Sequence, residues 1–268
     1  VIDTGPRGPV VDPSDIPSTR EGWDTAPRVS YRVDDLLDDS DPTVALNIIT
    51  RNGMDTDRGR HIVRAIKSAA PIITELVVVD TGSTDDTVEQ VRNLEAWLGF
   101  APTIIELPAV DPDAFHFGDT RNVALDASTA DYVVWMDDDE EFTRQAIATL
   151  MGEIGKPTGS AVGLCVYGFN IAMPTPRVSM FPRLPGVRWR FAVHEQIDTA
   201  DYDGRIPTHP HASGVWHWGY VSSDAVDASW ERNRRIAEHR GEDPIADGRQ
   251  APPIRKIDVL ADVDGFGA

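Results

Sequence analysis

One cysteine, Cys165, occurs in 268 residues. That excludes an intramolecular disulfide and any cysteine-built metal centre. It suits a reducing compartment, and a cytoplasmic location is expected. Basic residues are also scarce: 25 lysines and arginines against 44 acidic side chains leave a formal net charge of −19. Such a surface repels nucleic acid and anionic membranes, so a nucleic-acid partner is not expected. An anionic substrate would need local neutralisation, for which a divalent cation is the simplest device. No apolar run is long enough to span a bilayer, and no secretory pattern is present. The glycine-rich dinucleotide fingerprint, the P-loop and the Gly-x-Ser-x-Gly elbow are all missing.

What is present suffices for a core, since 41% of the chain is hydrophobic. Residues 1–43 are rich in Pro, Gly and Asp and read as an extended N-terminal arm, and residues 241–268 read as a polar C-terminal tail. Between them strand and helix alternate. Val44–Thr50 is a short apolar strand, His61–Ile73 has helical spacing, and Leu76–Val79 is a strand ending at Asp80. A helix is expected from Asp86 to Leu98 and a strand over Thr103–Leu107. A second helix, capped by Asp119 or Thr120, should run to Ala127, followed by a strand over Tyr132–Met136 and a helix over Thr143–Ile154. This alternation predicts an α/β fold with a largely parallel sheet flanked by helices. Later the rhythm changes to strands at Ala161–Ile171 and Val215–Trp218, and a charged helix at Ala225–His239.

Two strands end in carboxylates. One runs into Asp80-Thr81-Gly82-Ser83-Thr84-Asp85, the other into Asp137-Asp138-Asp139-Glu140. In open α/β sheets ligands bind beyond the carboxyl ends of the strands. Asp80 therefore suits a nucleotide's ribose or base, or equally a turn and helix cap. In an extended run Asp137 and Asp139 share a direction and Asp138 opposes it. Hard cations such as Mg²⁺ or Mn²⁺ take such oxygen ligands. The alternative is an acidic helix N-terminus, although charges this dense repel one another. His217, in Trp216-His217-Trp218-Gly219-Tyr220, is either an imidazole ligand or a packed histidine. Glu195, in Val193-His194-Glu195-Gln196, suits a general base or an ion pair with a nearby arginine.

Taken in order, these segments resemble family 2 glycosyltransferases of the GT-A fold. The resemblance rests on Ile48-Ile49-Thr50-Arg51-Asn52, Val78–Asp85, Phe117–Leu125 and Trp135–Glu140. Val193–Ile197 and His217–Tyr220 are similar to a bacterial and phage branch with His-Glu-Gln and His-x-Gly-Tyr signatures. It covers residues 44–240, with 44–142 as the nucleotide-binding half and 143–240 as the acceptor half. Gly53 departs from it, standing where many relatives carry glutamate.

The resemblance implies a metal-dependent transferase that moves a sugar from a nucleoside diphosphate to an acceptor hydroxyl, with inversion. Thr50, Asn52, Asp80, Arg121, Asp137 and Asp138 would then face the donor. Asp139 and His217 would hold the cation, Glu195 would be the base, and Trp189 and His194 would lie on the acceptor side. A UDP-sugar is expected ahead of a GDP-sugar, and the acceptor would be a protein, peptide or glycan. A retaining transferase, a non-catalytic sugar-nucleotide or glycan-binding module, and a nucleotidyltransferase are the rival readings.

Overall fold

The computed structural model describes residues 42–154, 161–168, 175–183, 187–198, 214–220 and 223–241. The expected arm (residues 1–41 of it) and tail (242–268) lie outside the described residues. Strand β1 (Val44–Thr50) is buried along its whole length, as an apolar run with a neighbour on each side must be. Thr43 fixes its entry: its backbone N–H and hydroxyl both donate to Asp131 Oδ2, at 2.9 and 2.8 Å.

Helix α1 (Ile62–Ala69) buries Ile62, Ala65, Ile66 and Ala69 on one stripe. It is shorter than its spacing predicts, because Pro71 lies just beyond it and the chain tightens into a 3₁₀ turn over Ala70–Ile72. Strand β2 (Glu75–Asp80) follows. The helix expected over 86–98 comes as two pieces, α2 (Thr87–Arg92) and α3 (Glu95–Leu98). Between them Leu94 N–H bonds the Val91 carbonyl at 3.1 Å, a local tightening that keeps Leu94 buried.

Strand β3 (Thr103–Glu106) precedes helix α4 (Phe117–Ala127). This helix starts earlier than its sequence suggests, and His116 caps it rather than Asp119 or Thr120. The reason is tertiary. The amide groups of Phe117 and Gly118 donate to the carbonyls of Ala192 and Phe191 at 3.0 and 3.2 Å, so the first turn is satisfied from outside the helix. Strand β4 (Tyr132–Asp137), strand β5 (Glu140–Phe142) and helix α5 (Arg144–Glu153) follow, the last capped by Thr143.

Among the described residues the remaining strands are β6 (Val162–Tyr167), β7 (Thr175–Pro182), β8 (Arg188–Arg190), β9 (Gln196–Asp198) and β10 (Gly214–His217), and α6 (Ser223–Arg240) is the last helix. Eight strands form one sheet in the order β3-β2-β1-β4-β7-β6-β10-β5, and β8 pairs with β9 separately. Strands β3, β2, β1 and β4 are parallel, β7 is antiparallel to both its neighbours, and β10 is parallel to β6. Both expected halves thus contribute to one sheet, and β5, from the first half, pairs with β10 at its far edge.

Candidate active site

Register brings the acidic strand ends level. Thr50 pairs with Asp80 across β1 and β2, and Ile49 pairs with Asp137 across β1 and β4. Two antiparallel steps, from β4 to β7 and from β7 to β6, restore the direction of β4. Strand β10, parallel to β6, therefore also ends at this edge and delivers His217 there. Strand β5 returns antiparallel, with Glu140 opposite His217, and Trp218 N–H donates to the Asp139 carbonyl at 2.8 Å.

The outcome is a cluster in which one ligand atom each from Asp137, Asp139 and His217 lie within 4.8 Å of one another. Asp139 Oδ1 is 3.7 Å from His217 Nε2 and is buried with no hydrogen-bond partner among the described residues. A buried carboxylate oxygen without a donor is costly unless something else supplies positive charge. Two carboxylates and an imidazole are a donor set that Mn²⁺ or Mg²⁺ accepts, so the residues fit such a cation.

Beside the cluster sits Arg121, buried on α4. Its Nη2 donates to Asp137 Oδ1 at 2.6 Å and its Nε to Glu195 Oε1 at 2.7 Å. The guanidinium lies over the Trp135 ring, 4.1 Å from the centroid. Burial pushes the Asp137 carboxyl up, but the charges of Arg121 and Arg177 outweigh it and hold Asp137 ionised, well below the usual carboxylate range. The loop carrying Glu195 has two residues in the left-handed region, Phe191 (φ 75°) and His194 (φ 52°). Helix α4 holds that loop, since Asn122 accepts from Trp189 N–H at 2.9 Å and donates to the Trp189 carbonyl at 3.0 Å.

The model of glycosyl transferase family 2 matches residues 48–215, well over half of the chain, a span that includes Asp137, Asp139 and Glu195 and stops just before His217. The chain belongs to that family. A TPR repeat-containing protein of Synechococcus elongatus is 27% identical over 173 residues, 61% of this chain and 40% of that protein. The chain thus spans well under half the length of that curated relative. Among solved structures, S. aureus TarS 1–349 in complex with UDP-GlcNAc has a TM-score of 0.51 at 15% identity, covering 73% of this chain and 66% of that one. S. aureus TarS gives 0.50 at 16%, covering 74% and 39%. The mannosyltransferase PcManGT from Pyrobaculum calidifontis, in complex with GDP-Man and Mn²⁺, gives 0.48 at 20%, covering 80% and 66%. The likeness to TarS is one of fold: an α/β, GT-A-like domain.

Within this family 2 domain the other expected site residues divide. Thr50 and Asp138 are buried and bound to each other, hydroxyl to Oδ2 at 2.6 Å, and Asp138 is not part of the Asp137–Asp139–His217 cluster. Gly53 accounts for that pair. A Cβ there would stand 2.5 Å from Thr50 Oγ1 and 3.3 Å from Asp138 Oδ2, so the absence of a side chain at Gly53 leaves room for it. Burial and the neighbouring charge of Asp139 push Asp138 up to about 7 against the pull of Arg60, 3.8 Å away.

Asp80 is buried. Its Oδ2 accepts from the amides of Gly82 and Ser83 at 3.1 and 3.0 Å, which is the turn-capping arrangement. Asn52 (φ 55°) accepts from Thr84 N–H at 2.8 Å and so ties the β1 loop to the β2 loop. The Trp189 ring is 5% exposed and packs edge-on to Trp135, 4.8 Å between centroids, so its side chain serves the core. His194 lies half-buried against Trp230, with ring centroids 5.9 Å apart.

Sequence reasoning missed Glu140 and Arg177. Glu140 is fully buried and takes two bonds from Arg177, at 2.6 and 2.7 Å, plus the Asp137 amide at 2.9 Å. The pair locks the backbone that presents Asp137. The only signal was a fourth acidic residue in the run, and nothing local pairs it with a Pro-flanked arginine 37 residues away. Among the described residues no helix is long and apolar enough to cross a membrane.

Proposed function

We propose that this chain transfers a sugar from a nucleoside-diphosphate sugar to an acceptor hydroxyl, with a divalent cation, Mn²⁺ or Mg²⁺, and with inversion at the anomeric carbon. The observation that carries this reading is the meeting of Asp137, Asp139 and His217 at the sheet's carboxyl edge, next to the Arg121–Glu195 pair. Asp139 and His217 would hold the cation, with Asp137 facing the donor's ribose or sugar. When bound, the cation stabilises the charge that develops on the departing diphosphate.

The protein's own part is positional. Asp80 and Asn52 shape the turn on which the nucleoside would rest, with Thr50 supporting the floor through Asp138. Arg121 fixes Asp137 and Glu195 relative to each other. Glu195 Oε1 is committed to Arg121, while Oε2 has no hydrogen bond among the described residues and is the oxygen that would take the acceptor's proton. A positioned base of this kind contributes about 10²–10⁴-fold. The structure of TarS with UDP-GlcNAc supports a UDP-sugar ahead of a GDP-sugar. The acceptor is a protein, peptide or glycan hydroxyl.

The test is thermal unfolding with UDP, GDP, UDP-glucose, UDP-GlcNAc and GDP-mannose, each with Mn²⁺ and with EDTA. A matching nucleotide at 100 times its Kd adds about 2.7 kcal/mol. The shift should need Mn²⁺ and vanish in Asp139→Asn. No cation-dependent shift from any nucleotide, or an unchanged shift in Asp139→Asn, would refute the reading. The Arg121 bond to Glu195 also favours a second reading, a retaining transferase in which Glu195 orients the acceptor. The anomeric configuration of the first-formed product, read by proton NMR, separates the two.

A further inference from the structure

We propose that Gly219 is a positioning residue for the cation site: its missing side chain is what seats Asp139 among the ligands. This rests on the reading of Asp137, Asp139 and His217 as cation ligands.

Strand β10 ends at His217, and the chain turns at once into a 3₁₀ turn over Trp218–Tyr220. The Trp218 amide holds the Asp139 carbonyl at 2.8 Å, and Glu140 sits opposite His217 in the ladder. These two ties press the Gly219 backbone against the Asp139 carboxylate. A Cβ at Gly219 would overlap Asp139 Oδ2, closer than real Cβ contacts allow, and would stand 3.1 Å from Asp139 Cγ and 3.0 Å from His217 Cε1. Both expected ligands are therefore the atoms in its way.

The cost of that overlap falls on function rather than on fold. Gly219 is not among the glycines with positive φ, so alanine suits its backbone. The atoms that must yield belong to side chains, and the nearest is the free end of Asp139. Gly59 is the contrast. Its φ is +75°, and its Cβ would meet the Trp218 backbone, which cannot swing aside. An Asp139 side chain rotated away carries its partnerless buried Oδ1 out of the cluster. Hard cations hold oxygen at about 2.0–2.2 Å, so a displacement of about 1 Å removes a ligand.

The experiment titrates Mn²⁺, alone and with saturating UDP or GDP, into wild type, Gly219→Ala and Asp139→Asn. Free Mn²⁺ is followed by electron paramagnetic resonance, and thermal unfolding is measured in EDTA. Gly219→Ala should bind Mn²⁺ at least about tenfold more weakly, approaching Asp139→Asn, as disturbed support of a metal ligand does. Its Tm in EDTA should stay within a few degrees of wild type. Wild-type Mn²⁺ affinity in Gly219→Ala, with affinity lost in Asp139→Asn, overturns the role of Gly219 and leaves the cation site standing. A Gly219→Ala protein that is unfolded in EDTA overturns it as well, since Gly219 would then be a requirement of the fold. If wild type takes up no Mn²⁺, or Asp139→Asn binds like wild type, the cation reading itself fails and this inference falls with it.

Discussion

Arg121 donates to Asp137 Oδ1 at 2.6 Å from a guanidinium whose side chain is only 4% exposed. The same group bonds Glu195, 74 residues further along the chain. One buried cation thus sets the spacing between the expected donor side and the expected base. Removing it leaves two carboxylates facing each other in the place it filled. Breaking a buried pair from one side costs about 3–5 kcal/mol, and the partial exposure of Asp137 reduces that. Arg121→Met should lose about 2–4 kcal/mol in urea unfolding in EDTA. A loss below about 1 kcal/mol would show that the carboxylates find water instead.

Glu195→Gln removes the proton acceptor and keeps a side chain of the same shape near Arg121 Nε. Donor binding, read as the Mn²⁺-dependent thermal shift, should be unchanged within about twofold. Transfer to acceptor should fall by about 10²-fold or more, the contribution of a positioned base. Transfer at the wild-type rate would place the base elsewhere.

Much of this site is legible in the chain itself. The apolar runs of β1, β2 and β4 stop where their polar residues begin, and parallel pairing then aligns Thr50, Asp80 and Asp137. Asp137 and Asp139 do meet, though not by strand alternation: β4 ends at Asp137, and Asp138 and Asp139 form the turn that leads into β5. What the chain does not display locally is everything that depends on sheet order. Arg177 reaches Glu140 because β7 inserts between β4 and β6, an ordering set by pairing across distant segments. The early start of α4 has the same origin, since its first amides are satisfied by Phe191 and Ala192 rather than by the sequence before it. Trp189, expected on the acceptor side, is turned inward by β-alternation between the exposed Arg188 and Arg190.

Asn122 is the hinge pin of the Glu195 loop. It satisfies both the N–H and the carbonyl of Trp189, at 2.9 and 3.0 Å, where the residue is almost wholly buried. Asn122→Ala should cost about 2 kcal/mol or more, since each unsatisfied buried group costs about 1–3 kcal/mol. Asn122→Asp keeps the acceptor for Trp189 N–H and should lose less on that account, although its charge opposes the Trp189 carbonyl. Hydrogen exchange of the Trp189 amide checks the assignment: it should accelerate most in Asn122→Ala. Unchanged protection there would mean that β8 is held by its pairing with β9 alone.

His61 caps α1 with a neutral ring, its Nδ1 accepting from Arg64 N–H at 3.3 Å. Burial, then the charge of Arg64, lowers its pKa from 6.5. The sign follows from linkage. In the unfolded chain His61 titrates near 6.5, so below that pH the unfolded state binds the proton more readily than the folded state. The stability that depends on a neutral His61 is complete above pH 6.5. It declines as the pH falls toward the lowered folded value, and below that the loss is constant. Asn is a good cap that does not titrate, so His61→Asn should keep the helix end and remove this dependence. In EDTA the Tm difference between His61→Asn and wild type should move in favour of the variant as the pH goes from 7.5 to 5, by less than about 1 kcal/mol in stability, the worth of a single cap. Parallel Tm curves for the two proteins across that range would mean that the ring stays neutral or is freely hydrated in both states, and that α1 does not depend on it.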